Sequence, residues 1–355
     1  MGTDVITRIF LIVIATFIFV AFLIPFIKRV AFHIGAIDIP NERKVHKKPM
    51  PRLGGLAIFL GFLFGYLVFA ESSQIMNSIL IGSFIIILTG VIDDIKPVDA
   101  LIKFAGQLVG AAIVVFYGQL LLQDLSAFGF YVDFGIFAYP VTIFFIVACI
   151  NCVNLIDGLD GLAGGISAIY FLTIGIIATV IVGNLGMDVT LTFIMLGATL
   201  GFLVHNFHPA SIFAGDSGSM FMGYMISVIA LLGFKSVTLT SLIIPLLILA
   251  IPILDTLFAI IRRSLKGESI SKPDKFHIHH QFLKMDFSHR ATVLIIYAIN
   301  GLFAIASIVY VLKDKVLGYV VYGLLVIIVL ALVLKTSVIA EPEKIKKKIR
   351  LPFRK

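Results

Sequence analysis

An all-α fold, built as a polytopic membrane bundle of about eleven helices, is what this chain predicts, and three observations predict it. The 355 residues are 60% apolar and only 14% charged, with a mean hydropathy of +1.10; a water-soluble chain of that character would have no polar surface to show. Apolar runs close to the roughly 20 residues that cross a hydrocarbon core recur at approximately 6–27, 53–70, 77–92, 101–117, 137–153, 162–182, 188–205, 219–235, 238–261, 291–311 and 316–334. The basic residues then alternate in step with those spans. Segments 28–52, 93–103, 262–290 and 335–355 hold 24 of the 28 Lys and Arg and all fall on one side. Basic loops mark the cytoplasmic face, so the N-terminus is expected outside and the C-terminus inside. A missed span would scatter the charges over both faces.

A chain of this kind needs only one domain. Residues 1–335 are expected to form it, with cytoplasmic loops at 28–52, 93–103, 154–161, 206–218 and 262–290, and a basic cytoplasmic tail at 336–355. The first run, Ile6 to Phe26, has no basic flank before it and no small-residue cleavage site, so it reads as a retained span. The loop after it, RKVHKKPMPRLGG, holds five basic residues. Orientation alone explains the charge, but not the proline–glycine rigidity. The third span ends in VIDD, and Asp93 and Asp94, about 100° apart if helical, can serve two partners. Lys103 opens the fourth span. The plainer alternative pairs it with Asp99 at i,i+4 and leaves the aspartates in water. Segment 118–136, with β-branched and aromatic residues around Gly129, suggests a small outer hairpin. Cys149 and Cys152 lie three apart inside an apolar run and read as small buried side chains rather than a redox or zinc pair.

Four further stretches carry chemistry. In NCVNLIDGLDGLAGG, Asn151, Asn154, Asp157 and Asp160 recur every third residue, so in a helix each neighbours the next; its glycines leave room for a ligand or a second helix. The plainer reading is a solvated polar loop. NFHPASIFAGDSGS follows the seventh span. Its GDSGS is too short a likeness to a serine-protease nucleophile segment to carry that reading without the fold. A glycine-flanked Asp216 is better suited to a metal or phosphate at a tight turn. Asp255 lies in the ninth apolar run, seven residues before Arg262, where an acid should face the protein interior as a functional group or as a hydrogen-bond partner. HIHH, with His277, His279 and His280, follows Arg262, Arg263, Lys266, Lys272 and Lys275; it reads as a donor-rich surface over an anionic head group, ahead of a zinc site or a solvated loop. The tail KIKKKIRLPFRK reads as an inside-orientation signal before a lipid-binding segment. The basic face as a whole favours anions such as nucleotides, phosphates or lipid head groups.

Together RKVHKKPMPRLGG, VIDD, NLIDGLDGLAGG, NFHPASIFAGDSGS, IIRR and HIHH resemble the polyprenyl-phosphate N-acetylhexosamine-1-phosphate transferases. The likeness is closest to the bacterial undecaprenyl-phosphate GlcNAc-1-phosphate transferases of the WecA/TagO type, with the muramyl-pentapeptide transferases as relatives on the same core. It runs from about Lys28 to Arg290. Two departures are Gln281 after HIHH, where arginine is expected, and IKP rather than an acid after the aspartate pair. The resemblance implies transfer of GlcNAc 1-phosphate from UDP-GlcNAc to undecaprenyl phosphate, giving UMP and undecaprenyl diphosphate-GlcNAc for a cell-envelope glycan such as teichoic acid or O-antigen. It implies Mg²⁺, with Mn²⁺ as a substitute, on Asp216 and Asn154. It implies catalytic roles for Asp93, Asp94 and Asp157, and substrate contacts from Lys103, Asn206, Asp160, Arg262, Arg263, His277, His279 and His280. A multi-pass protein of the cell membrane is implied, with the site on the cytoplasmic face, membrane lipids around it, a lipid groove near spans four, five and nine, a homodimer as its assembly and no nucleic-acid partner. Two rivals stand beside this reading: the same reaction on another UDP-N-acetylhexosamine or UDP-MurNAc-pentapeptide, and an ion-coupled transporter.

Overall fold

The computed structural model describes residues 3–40, 48–127, 130–235, 248–267 and 277–335. Twelve α-helices follow in chain order among them: α1 Thr3–Ile34, α2 Gly54–Phe69, α3 Gln74–Ile95, α4 Ala100–Ala112, α5 Ala138–Ile156, α6 Leu162–Val182, α7 Met187–Asn206, α8 Gly215–Lys235, α9 Ala250–Lys266, α10 Ile278–Lys284, α11 His289–Leu312 and α12 Lys315–Lys335. Two small antiparallel ladders join them, β1 Ile37–Asp38 with β2 Met50–Pro51 and β3 Asp124–Ala127 with β4 Phe130–Asp133. The second ladder is the hairpin expected within segment 118–136. Among the described residues, eight helices are long and apolar enough to cross a membrane, and Gly54–Phe69 and Val316–Ala331 are shorter apolar helices. The chain is an all-α polytopic membrane protein. The first part of the expected ninth span, residues 41–47 of the first basic loop, Lys272, Lys275 and the tail lie outside the described residues.

Several helices overrun the apolar stretches that announced them. α1 has 32 residues, about 48 Å at 1.5 Å each, so it continues past the core through Lys28 and Arg29. α8 begins at Gly215 rather than 219, which moves Asp216 from a loop into a first helical turn. Local capping sets other ends. The Ser73 hydroxyl accepts from Met76 N at 3.2 Å, and Asp99 accepts from Leu101 N at 2.8 Å, as N-cap side chains do. Asp99 is therefore a cap, and Lys103 has other partners.

α8 is the central post. It packs against α2, α3, α5 and α6, and 94% of its apolar window is buried, against 22% for α1. A helix apolar on all sides belongs inside, and its polar groups find backbone partners. Tyr224 Oη donates to Ile79 O at 3.1 Å, and Tyr170 Oη of α6 donates to Ile226 O at 3.2 Å. Cys149 and Cys152 are buried free thiols. The ends of α3, α5 and α7 and the start of α8 therefore meet at one end of the bundle.

Candidate active site

The start of α8 is fastened from outside its own helix. Gly215 has φ +72, a left-handed conformation that favours glycine. It turns the first amides toward α3, where Asp94 receives Asp216 N at 2.8 Å, Ser217 N at 3.1 Å and Ser217 Oγ at 2.6 Å. A carboxylate supplied by another helix satisfies amides that a helix start leaves unpaired. The Asp216 side chain is then gripped by two cations, Lys103 Nζ at 2.8 Å and Arg52 at 3.3 Å. Arg52 also lies 3.5 Å from Asp94, and Lys103 lies 3.5 Å from Asp93, which accepts Val98 N at 3.0 Å. Burial works against the Arg52 charge, but Asp94 and Asp216 outweigh it and raise its pKa above the ordinary value.

The proline–glycine run places that arginine. Phe213 N donates to Pro51 O, Gly54 N to Phe213 O and Gly55 N to Ala214 O, at 2.8, 3.0 and 2.8 Å. Segment 51–55 is thus laid backbone to backbone against 213–215. A side chain at Gly55 would strike the backbone of Ser217 and Gly218.

The opposite wall is the turn from α5 to α6. Asn154 Nδ2 donates to Ser219 Oγ at 2.8 Å. Asn151 instead donates to Gln107 Oε1 at 2.7 Å, a helix-packing contact away from the cavity. Asn206 accepts Gly161 N at 3.0 Å and donates to Ile212 O at 2.8 Å, so it staples two loops together at the cavity edge. Tyr297 Oη donates to Gly161 O. Asp160 lies 2.8 Å from His208 Nδ1 and accepts Ala210 N at 3.1 Å. Asp157 receives no side-chain hydrogen bond or ion pair among the described residues. It keeps some surface on the cavity side but is otherwise enclosed. Burial first, then the charge of Asp216, push its carboxyl up to about 7, with Arg52 opposing.

The histidine segment closes one side. His277 lies 2.8 Å from Asp255, which also accepts Ile278 N at 2.8 Å. His279 is 2% exposed, with both ring nitrogens unpartnered among the described residues. Burial, then His280 and His277, hold it well below the usual histidine range. A cavity of about 700 Å³ lies between these walls, and Arg52, Asn154, Asp157, Asp160, Asp216 and His280 all line it. Asp93, Asp94, Lys103, His277 and His279 stand behind the lining. Arg262 and Arg263 are buried in α9 and do not reach it.

Comparison with known proteins fits this arrangement. The sequence model of glycosyl transferase family 4 matches residues 76–234. A probable undecaprenyl-phosphate N-acetylglucosaminyl 1-phosphate transferase of Bacillus subtilis (strain 168) is 44% identical over 309 residues, covering 85% of each chain. The chain belongs to this family of transferases. A decaprenyl-phosphate N-acetylglucosaminephosphotransferase of Mycolicibacterium smegmatis is 31% identical over 338 residues, 87% of this chain and 83% of the relative. An undecaprenyl-phosphate alpha-N-acetylglucosaminyl 1-phosphate transferase of Escherichia coli (strain K12) is 29% identical over 290 residues, 80% of this chain and 78% of the relative.

Two groups among the described residues of this transferase bring three ligand atoms within 4.8 Å of one another, Asp93–Asp94–Asp216 and Asp160–His208–His289. The His208 and His289 rings stack 4.2 Å apart with planes 22° from parallel, so their lone pairs run side by side and do not converge on one ion. In the other group, Asp94 is already committed to α8. The residues lining the cavity include Asp216, Asp157 and Asn154, whose side-chain oxygens make a hard set of the kind Mg²⁺ takes. The residues present therefore fit a divalent cation. Sequence reasoning passed over Arg52, Ser219, His208 and His289. Arg52 was read as an orientation signal. The two histidines stand alone in their motifs, with only the polar run after Asn206 and the cap at Ser288 to point to them.

Proposed function

We propose that this transferase moves GlcNAc 1-phosphate from UDP-GlcNAc to undecaprenyl phosphate on the cytoplasmic face of the cell membrane, the first membrane step of an envelope glycan. The observation that carries the reading is the 700 Å³ cavity, the size of a small-molecule site, with acids on its inner walls and Arg52 and His280 beside them. The names and coverage of the relatives support the same chemistry. An oxygen of the lipid phosphate attacks the β-phosphorus of the donor, the bond to the bridging oxygen breaks, and UMP leaves. Such a transfer is catalysed mainly by positioning and by neutralising phosphate charge.

The roles proposed for the chain's residues follow the geometry. Asp216 and Asn154 hold Mg²⁺, with Asp157 and Ser219 beside them; the ion, when bound, neutralises the donor diphosphate. Lys103 and Arg52 fix Asp216 and would offer their charge to the phosphate oxygens of the donor. Asp94 holds the start of α8, and Asp93 holds Lys103. Asp160, backed by His208, and Asn206 shape the nucleotide end. His280 reaches the donor directly, and His277 and His279 support it. Arg262 and Arg263 act from α9 on the segment's surroundings rather than on the donor.

The topology proposed is eleven spans in one domain, 1–335, with the N-terminus outside and the C-terminus inside; the distribution of Lys and Arg supports it. The experiment is UMP release by the detergent-solubilised protein across a panel of UDP-sugars. UMP should form from UDP-GlcNAc only with undecaprenyl phosphate and Mg²⁺ present. Release without lipid, or from a different UDP-sugar in preference, overturns the assignment.

A further inference from the structure

Asp255 takes no part in the reaction above. It projects from α9, a helix of the membrane bundle, and is 2% exposed. A buried acid of this kind persists only with partners, and both of its oxygens have one: His277 Nδ1 at 2.8 Å and Ile278 N at 2.8 Å. The second partner is the first amide of α10. The residue at the N-cap of α10, His277, makes no capping bond with its own side chain. Asp255 therefore does from a neighbouring helix what an N-cap side chain does from within. α10 has only seven residues, too few to hold a helix by propensity, so external contacts decide where it sits.

What α10 carries makes that placement matter. The His277 and His279 rings stack 5.8 Å apart with planes 2° from parallel, and His279 lies 4.3 Å from His280. His279 fills the space over Gly158, where a Cβ would come within 2.7 Å of its Cε1, next to Asp157. His280 lines the cavity. A continuous series of contacts thus runs from Asp255 through His277 and His279 to the turn that carries Asp157, and through α10 to His280.

We infer that Asp255 is a positioning residue: it pins His277 and the start of α10, and so sets His279 against Gly158 and His280 into the donor cavity. The inference rests on the reaction proposed above only for where the displaced histidines are felt, namely on the UDP-sugar.

The test is a double-mutant cycle with an activity-independent readout. Asp255→Ala and His277→Ala are each expected to lower kcat/KM for UDP-GlcNAc about 10²-fold, the scale of an ångström of misplacement. The double variant should be no more than about twofold worse than either, as for two residues acting through one contact, and KM for undecaprenyl phosphate should stay within about twofold. Asp255→Asn keeps an acceptor for Ile278 N and should lose only about tenfold; if Asp255→Ala fails to fold, this variant carries the cycle with His277→Ala. Hydrogen exchange, measured without substrate, should quicken at 278–284 and stay unchanged in α6 to α8. Losses that multiply, an effect on the lipid KM instead, or unaltered exchange at 278–284 would overturn the assignment. A wild-type protein that releases no UMP from UDP-GlcNAc would sink the proposed reaction, while the exchange measurement still decides the role of Asp255.

Discussion

At the end of α3, Asp94 accepts three hydrogen bonds and lies 3.5 Å from a guanidinium. Across the same site, Asp157 accepts none among the described residues, and its carboxyl is pushed up to about 7. Both are aspartates at the end of a membrane helix, each within three residues of a second aspartate. The difference lies in what the fold has already committed. Asp94 is used up in building the site, because the α8 amides it receives have no other acceptor. Asp157 has been brought to the cavity with no hydrogen-bond donor among the described residues, and only Arg52 opposes the effect of its burial. Asp94 thus belongs to the wall, and Asp157 is the acid free to take part in the chemistry.

The sharpest way to break this contrast is at Asp216, where wall and chemistry meet. Asp216→Asn removes the acceptor of both Lys103 and Arg52, and with it the proposed anchor of the cation. UMP release should fall about 10³-fold or more, the upper range for losing one preorganised electrostatic group. Retention of a tenth of the activity would show that the cation is held elsewhere.

Asp94 and Asp157 should then part company. Asp94→Asn swaps one acceptor oxygen for a donor that faces other donors. Leaving a buried hydrogen-bonding group unpaired costs about 1–3 kcal/mol, so the melting temperature in detergent should drop by several degrees, with activity following. Asp157→Asn should lower UMP release about 10²-fold and not destabilise the protein. Its effect on stability has a definite sign. A carboxyl at about 7 when folded and near 4 when unfolded takes up a proton on folding. Its contribution therefore turns unfavourable as pH climbs from about 4 through 7. Without Mg²⁺, Asp157→Asn should melt higher than wild type at pH 8, and the gap should close toward pH 4. In wild type the apparent Mg²⁺ affinity should weaken below pH 7, as the ion displaces that proton, and in Asp157→Asn it should be flat. Equal melting curves at pH 8 would mean that Asp157 is compensated after all.

What the sequence revealed, and what it concealed, divides along the same line. The hydrocarbon layer imposes a length on every span, so apolar runs announced the helices. Their ends were less legible, because polar residues such as those of GDSGS can still occupy a first helical turn when an outside carboxylate caps it. Asp157 and Asp160 were visible because they share one motif with a regular spacing. Arg52 was not, since its partner Asp216 lies 164 residues away and its charge looked the same as every other charge of its loop. The capping role of Asp94 was hidden for the same reason: its donors at 216 and 217 come from another motif, 122 and 123 residues on. Which acids line a site can be read locally; which of them the fold has already neutralised depends on contacts between motifs.

Asp93 gives the smallest and most discriminating effect. As a base it would have to take a proton from the attacking lipid phosphate, but a phosphate monoester has its second pKa near 6 and is mostly dianionic at neutral pH. A base then has little to remove. The structure gives Asp93 other work, accepting Val98 N at 3.0 Å and standing 3.5 Å from Lys103 Nζ, which holds Lys103 where it meets Asp216. Asp93→Asn keeps an acceptor for Val98 N and loses the charge beside the lysine. It should cost about tenfold in UMP release through a looser lysine, by a similar factor at pH 6 and at pH 9. If the loss at pH 6 disappears at pH 9, proton removal is being replaced by solvent, and Asp93 moves from the wall to the chemistry.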